Sequence, residues 1–184
     1  RRPLALLGDC GWLGPDVWLA PGIHFDDGEL RRLAETRTGV PHCPASNQRL
    51  ASGRARVPEM LRLGVPVGLG VDGSASNDGS HLLAEVRQAM LLSRVKEGIT
   101  GFSASPSALP KEHRDDVSGG SSNPKDVSRP AVEARKLMTA REALYLGTRG
   151  GAAVLGRKDI GSLEAGKCAD FFAVNLNRLD YAGA

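Results

Sequence analysis

Val65-Pro66-Val67-Gly68-Leu69-Gly70-Val71 is an apolar run that ends at once in Asp72-Gly73-Ser74-Ala75-Ser76-Asn77. A run this short and this uniformly apolar predicts a strand buried on both faces, the kind that parallel sheets contain. Upstream, Arg54 to Leu63 carries Val57, Met60 and Leu61 on one face and meets Gly64, which predicts a helix with a glycine stop. Downstream, Ser80 to Val95 carries Leu82, Leu83, Val86, Ala89, Met90 and Leu91 as a helical stripe. The same order recurs earlier in the chain. Val17-Trp18-Leu19-Ala20, closed by Pro21-Gly22, predicts a buried strand, and Asp26-x-x-Glu29 opens a helix with Leu30, Leu33 and Ala34 on one face. Thr38-Gly39-Val40-Pro41-His42 is a further strand candidate, weakened by Pro41, which has no ladder N–H to give. Three strand–helix units in succession predict an α/β chain whose parallel sheet is covered by helices.

The remaining sequence is less regular. Residues 98–135 are rich in Ser, Pro, Gly and mixed charge, as in Ser118-Gly119-Gly120-Ser121-Ser122-Asn123-Pro124, and are expected to form a mobile insertion. Thr139 with Glu142 three residues on predicts a capped helix through Leu146, and Ile160 to Leu176 reads as short strands and turns around Gly161 and Gly166. The chain has 184 residues, 41% of them hydrophobic, which is ample for a core and excludes wholesale disorder. Lys+Arg 24 against Asp+Glu 21 gives a net charge of only +3, scattered along the chain, so neither a nucleic-acid nor a membrane-surface partner is expected. No apolar run approaches the ~18 residues that cross a bilayer. Cys10, Cys43 and Cys168 form no C-x-x-C, and an odd count without a pairing pattern leads us to expect a reduced, cytoplasmic protein.

In parallel α/β sheets reactive groups sit where a strand ends and a loop begins. Two predicted strand ends carry such a group: His42, in His42-Cys43-Pro44-Ala45-Ser46-Asn47, and Asp72. An imidazole and a carboxylate on neighbouring strands could share one metal or one activated water, and are expected at the same rim of the sheet. Each has a plainer reading: Asp-Gly is a common turn pair, and a single His in an apolar strand is often a core residue. Cys43 reads as a small buried hydrophobe, Asp26 and Asp27 as helix-capping residues, and His24, His81 and His113 carry no catalytic expectation. No dinucleotide or P-loop fingerprint occurs.

His42-Cys43-Pro44-Ala45-Ser46-Asn47, Gly70-Val71-Asp72-Gly73-Ser74-Ala75-Ser76-Asn77 and Ile160-Gly161-Ser162-Leu163-Glu164-Ala165-Gly166-Lys167-x-Ala169-Asp170 together resemble the amidohydrolase superfamily. The similarity is to its aminohydrolase and chlorohydrolase branch, which acts on purine, pyrimidine and triazine rings. Within that branch, Val17 to Ala20, Leu50 to Gly53 and Asp180 to Ala184 resemble the 8-oxoguanine deaminases. The resemblance implies a metal-dependent (β/α)8 TIM barrel with a small β-sandwich. It places residues 1–155 in the barrel, about strands six to eight, and 156–184 in part of the sandwich. It also implies one divalent metal, zinc by preference, and hydrolytic deamination of a small purine-like ring with loss of ammonia; a homo-oligomer is compatible with it. Asp72 matches the family's metal-binding and proton-accepting Asp, and His42 matches the His that assists at the ring. The sixth-strand His falls at Pro21, and the first-strand His-x-His and fifth-strand Glu have no counterpart here, so the chain alone is expected to be inactive. The alternatives are another aminohydrolase of the branch, acting on guanine or a triazine, and a non-catalytic remnant without its metal.

Overall fold

The computed structural model describes residues 1–99, 138–175 and 177. Its centre is a parallel pair, β1 (Val40–His42) and β2 (Val67–Leu69), in the register Val40 to Val67, Pro41 to Gly68 and His42 to Leu69. On the far side of β1 lies the segment around Trp18, joined by one parallel bridge between Trp18 and Gly39. Its hydrogen bonds run from Gly39 N–H to Val17 C=O (2.9 Å) and from Leu19 N–H to Gly39 C=O (2.9 Å). The buried strand expected over Val17 to Ala20 is thus reduced to a bridge, and Trp18 stays half exposed. The cause lies in the next residue of β1 that faces this edge, Pro41, which has no N–H to extend the ladder.

The helices follow from their end signals. Helix α1 (Pro3–Asp9), not expected from the sequence, opens on a proline and buries Leu4. Helix α2 (Asp27–Thr36) starts at the Asp26 cap: the Asp26 carboxylate accepts from Glu29 N–H (2.8 Å) and Asp26 N–H donates to Glu29 Oε2 (3.0 Å). After β1 comes a second unexpected helix, α3 (Pro44–Arg49), again with proline at its first position. Helix α4 (Val57–Leu63) starts three residues later than Arg54 and stops where expected, with Gly64 left-handed at φ 81°. Helix α5 (Leu82–Ile99) runs two residues into the stretch expected to be an insertion, and the rest of that stretch lies outside the described residues. Among the described residues, no helix is long and apolar enough to cross a membrane.

Thr139 caps α6 (Ala140–Tyr145) through the expected box with Glu142. The helix does not stop at Leu146; it continues through a π-helical turn (Leu146–Gly150) into α7 (Gly151–Val154). Glycines permit this. A Cβ on Gly150 would lie 2.4 Å from the Val67 carbonyl oxygen, and one on Gly68 would lie 2.9 Å from Gly151 Cα, so helix and strand meet backbone to backbone. Gly150→Ala should therefore destabilise the fold by about 1–3 kcal/mol, the usual cost of overpacking, since the neighbour that must give way is main chain. Urea unfolding checks this, and an unchanged midpoint would contradict the packing described here. Around this contact one apolar cluster joins Leu30, Leu33, Val40, Met60, Val67, Ala143 and Leu146, and links α2, α4 and the π turn to the sheet. Each Leu, Val or Met of this cluster contributes about 1.5–3 kcal/mol by leaving water.

The strands expected between Ile160 and Leu176 are not formed among the described residues. The backbone there closes on itself, as in Lys167 N–H to Glu164 C=O and Cys168 N–H to Asp159 C=O, with Gly161 and Gly166 at positive φ. Phe171 and Phe172 are largely exposed. The segment's close neighbours at Gly161 are Thr148, Arg149 and Ala152, which belong to the π turn and α7, and a helix has already used its main-chain groups and offers no strand edge to pair with.

Candidate active site

The parallel register brings the C-terminal ends of β1 and β2 to one rim, as expected, with His42 closing the first and Asp72 three residues beyond the second. Asp72 itself adopts φ 64°, a left-handed conformation that aspartate tolerates better than most residues. That turn folds its carboxylate back over the rim. Ser46 Oγ donates to Asp72 Oδ2 at 2.6 Å, and Gly73 N–H donates to Oδ1 at 2.8 Å. These two donors hold the exposed Asp72 carboxyl below the usual carboxylate range, the Ser46 hydroxyl most of all. Ser46 Oγ also lies 2.8 Å from Ser76 Oγ, so the His-Cys-Pro-Ala-Ser loop and the Asp-Gly-Ser-Ala-Ser loop are bonded to each other.

A residue that the sequence reading passed over completes this join. Glu85 of α5 is 1% exposed. Its Oε2 accepts from Ala45 N–H (2.9 Å) and its Oε1 from Asn77 Nδ2 (2.9 Å), one bond to each loop. A signal was present: Glu85 falls on the apolar stripe of its own helix, between Leu82 and Ala89, where a carboxylate is costly unless partnered. Asn47, in the same loop as Ser46, is also buried, and its Nδ2 has no hydrogen-bond partner.

His42 sits apart from this cluster. Only 2% exposed, it lines a cavity of about 10 Å³ with Arg54, Ala55, Val57, Pro58, Ala89, Leu92 and Ser93. Burial, and then the charge of Arg54, push its pKa down to about 4, so the imidazole is neutral at pH 7. The pH dependence follows with a definite sign. The unfolded chain, at about 6.5, binds a proton that the folded chain refuses, so this contribution to stability is complete above about pH 6.5 and is lost as pH falls towards 4. About 2 kcal/mol should disappear between pH 7 and pH 5. Urea midpoints at the two pH values measure it, and His42→Gln should flatten the difference; an equally steep loss in that variant would refute the assignment.

Elsewhere the plainer readings hold. Cys43 is buried, and its thiol is raised to about 11 by burial first and by the Asp72 and Glu85 charges next, so it is no nucleophile. Asp26 caps α2, and His81 Nδ1 accepts from Ala84 N–H (3.3 Å) at the start of α5. His24 is exposed, and His113 lies outside the described residues. Pro21, exposed at the end of the Trp18 segment, offers no donor atom to a metal. Among the described residues no group of three or more His, Cys, Asp or Glu side chains could hold a metal ion. The rim thus supplies one exposed, ionised carboxylate, which suits a divalent cation but falls short of the three protein ligands of a catalytic zinc.

Parallel strands with helices between them, and a carboxylate held just beyond a strand end, are the layout in which α/β enzymes place their reacting groups. Comparison with known proteins agrees and is more specific. The amidohydrolase family profile matches residues 2–108 and 122–182, and the chain belongs to this family. It is 40% identical over 183 residues to the 8-oxoguanine deaminase of Pseudomonas aeruginosa, covering 100% of this chain and 33% of that protein. It is 40% identical over 184 residues to the hydroxydechloroatrazine ethylaminohydrolase of a Pseudomonas species, covering 100% of this chain and 31% of that protein. Among solved structures it resembles the zinc-complexed atrazine chlorohydrolase of Arthrobacter aurescens at 31% identity and a TM-score of 0.77, over 99% of this chain and 33% of that one. The chain therefore spans about a third of the length of these relatives.

Proposed function

We propose that this chain forms the part of a hydrolytic deaminase that carries the Asp72 and His42 rim, with a purine-like ring, 8-oxoguanine first, as substrate. The observation that carries the reading is the Asp72 carboxylate, kept ionised by Ser46 and Gly73 and presented outward at the strand end. The 40% identity to an 8-oxoguanine deaminase supports the ring chemistry. In this reading residues 1–155 belong to the barrel and 156–184 to the sandwich, and Asp72 is one ligand of a divalent metal, zinc by preference. The metal would supply a water acidified towards neutral pH. Asp72 would help to hold that ion and would be the acceptor for a proton, Ser46 and Gly73 fix the carboxylate's orientation, and buried His42, neutral at pH 7, would offer a hydrogen bond rather than a charge to a ring that reached it.

Ammonia release tests this, using 8-oxoguanine, guanine, isoxanthopterin and an aminotriazine with the product of the gene that encodes this chain. Turnover fastest on 8-oxoguanine and abolished by Asp72→Asn is the expected result. Preference for a triazine would keep the class and replace the substrate. A second reading, a non-catalytic member of the family, is favoured by Pro21 and by the missing three-ligand group among the described residues. No turnover on any ring would establish it.

A further inference from the structure

We propose that the cavity between His42, Arg54 and Ser93 holds one buried water, and that this water fixes the tautomer of His42 with its proton on Nε2. His42 Nδ1 and Arg54 Nη1 are both fully buried, and neither has a hydrogen-bond partner. Both residues line the same cavity of about 10 Å³, and so does Ser93, which is 5% exposed. That volume is at the scale of a single water, which needs on the order of 10–15 Å³ and two to four polar partners.

The donors and acceptors balance in only one way. A guanidinium nitrogen can only donate, so Arg54 Nη1 gives its proton to the water oxygen. The water then has two protons to place. Ser93 Oγ already donates its own proton to the Met90 carbonyl (2.6 Å), so its lone pairs are free to accept one of them. The other goes to His42 Nδ1, which must therefore be the unprotonated nitrogen of the ring. A neutral imidazole that accepts at Nδ1 carries its proton on Nε2. The walls from Ala55, Val57, Pro58, Ala89 and Leu92 offer no other side-chain donor or acceptor.

Such an His42 is a hydrogen-bond donor through Nε2 and cannot bind a metal through that atom. The water site stands on the cavity alone; the use of the Nε2 proton against a substrate ring rests on the function proposed above. The experiment separates the two, because it measures no turnover. With the histidine rings labelled with ¹⁵N, His42 is identified by the signals lost in His42→Gln, and proton–nitrogen correlation at pH 7 reads its tautomer. The expected result is a protonated Nε2 and an unprotonated, hydrogen-bonded Nδ1, with a long-lived water giving cross-peaks to Ala89 or Leu92. Arg54→Met removes the side-chain donor to the water among the described residues of the lining, and Ser93→Ala removes one acceptor. Each should mix the two tautomers, and Ser93→Ala serves where Arg54→Met does not fold. A protonated Nδ1 in the unaltered chain would overturn the proposal, and so would an unchanged single tautomer in the folded variants.

Discussion

Glu85→Ala is expected to lower the unfolding free energy by about 3–5 kcal/mol, the scale of two lost hydrogen bonds to a buried carboxylate together with the cavity left behind. Two hydrogen bonds to a carboxylate would be lost, from Ala45 N–H and from Asn77 Nδ2. Both donors would be left in a region that water does not reach freely, since Asn77 is 7% exposed and Glu85 itself 1%. A hydrogen bond to a charged group contributes about 1.5–3 kcal/mol, and a cavity of side-chain size adds to the loss. Glu85→Gln should cost much less, about 1–2 kcal/mol: its carbonyl can take the Ala45 bond, and the Asn77 amide can turn to accept from its amino group. Urea unfolding of the three proteins gives the comparison. A loss below about 1 kcal/mol for Glu85→Ala would mean that the two loops hold together without it.

The effect should be local as well as global. Ala45 precedes Ser46, which holds Asp72, and Asn77 follows Ser76, which Ser46 also contacts. Releasing Glu85 therefore loosens the two loops on which the proposed site depends. Amide exchange in Glu85→Ala should accelerate at 44–49 and 73–77 before it does in α2 or α4.

Much of this was legible in the chain, and what was not has physical causes. The capping boxes at Asp26 and Thr139 are local chemistry, readable from two residues three apart, and both helices start there. The apolar run at β2 was legible because a strand covered on both faces has no polar positions to confuse the pattern, whereas β1, Val-Pro-His, was the weaker candidate and forms through its pairing with β2. The Trp18 segment forms one bridge and not the full strand its apolar run predicts, because its ladder depends on an N–H that Pro41, on another segment, does not have. Helix α3 hid behind a motif read for its chemistry. The continuation through the π turn was hidden because Gly147 and Gly150 look like helix breakers until the strand they pack against is known. At the site, His42 and Asp72 are legible as candidates because an apolar run ends at or near each; the structure closes β1 on His42 and sets Asp72 three residues past β2, and the roles of both stay with the proposed function. Glu85 was missed because it is far from the rim in sequence, and its partners are an amide N–H and an asparagine that no motif reports.

Zinc should bind this 184-residue chain weakly, with less than stoichiometric metal surviving dialysis. Structural zinc sites with four ligands reach about 10–16 kcal/mol, and a catalytic site needs three protein ligands to keep the ion while leaving a place for water. Here Asp72 is the one rim carboxylate placed for a cation, and no three-ligand group exists among the described residues. His42 adds little, because its buried ring is held on α4 and α5 side chains, away from the Ser46–Asp72 cluster. Metal that binds only the folded state raises stability by RT ln(1 + [Zn]/Kd), so a weak site leaves the unfolding midpoint unmoved by zinc or by a chelator. Pro21→His should tighten binding measurably, by supplying an imidazole at the end of the Trp18 segment, on the edge of β1 opposite β2, while still falling short of stoichiometric retention. Asp72→Asn should remove what binding the unaltered chain has, since a neutral amide is a far poorer partner for a divalent cation than a carboxylate kept ionised by Ser46 and Gly73. Metal content after dialysis of the three proteins decides the matter. One tightly held zinc per unaltered chain would show that residues not credited with a ligand role here complete the site.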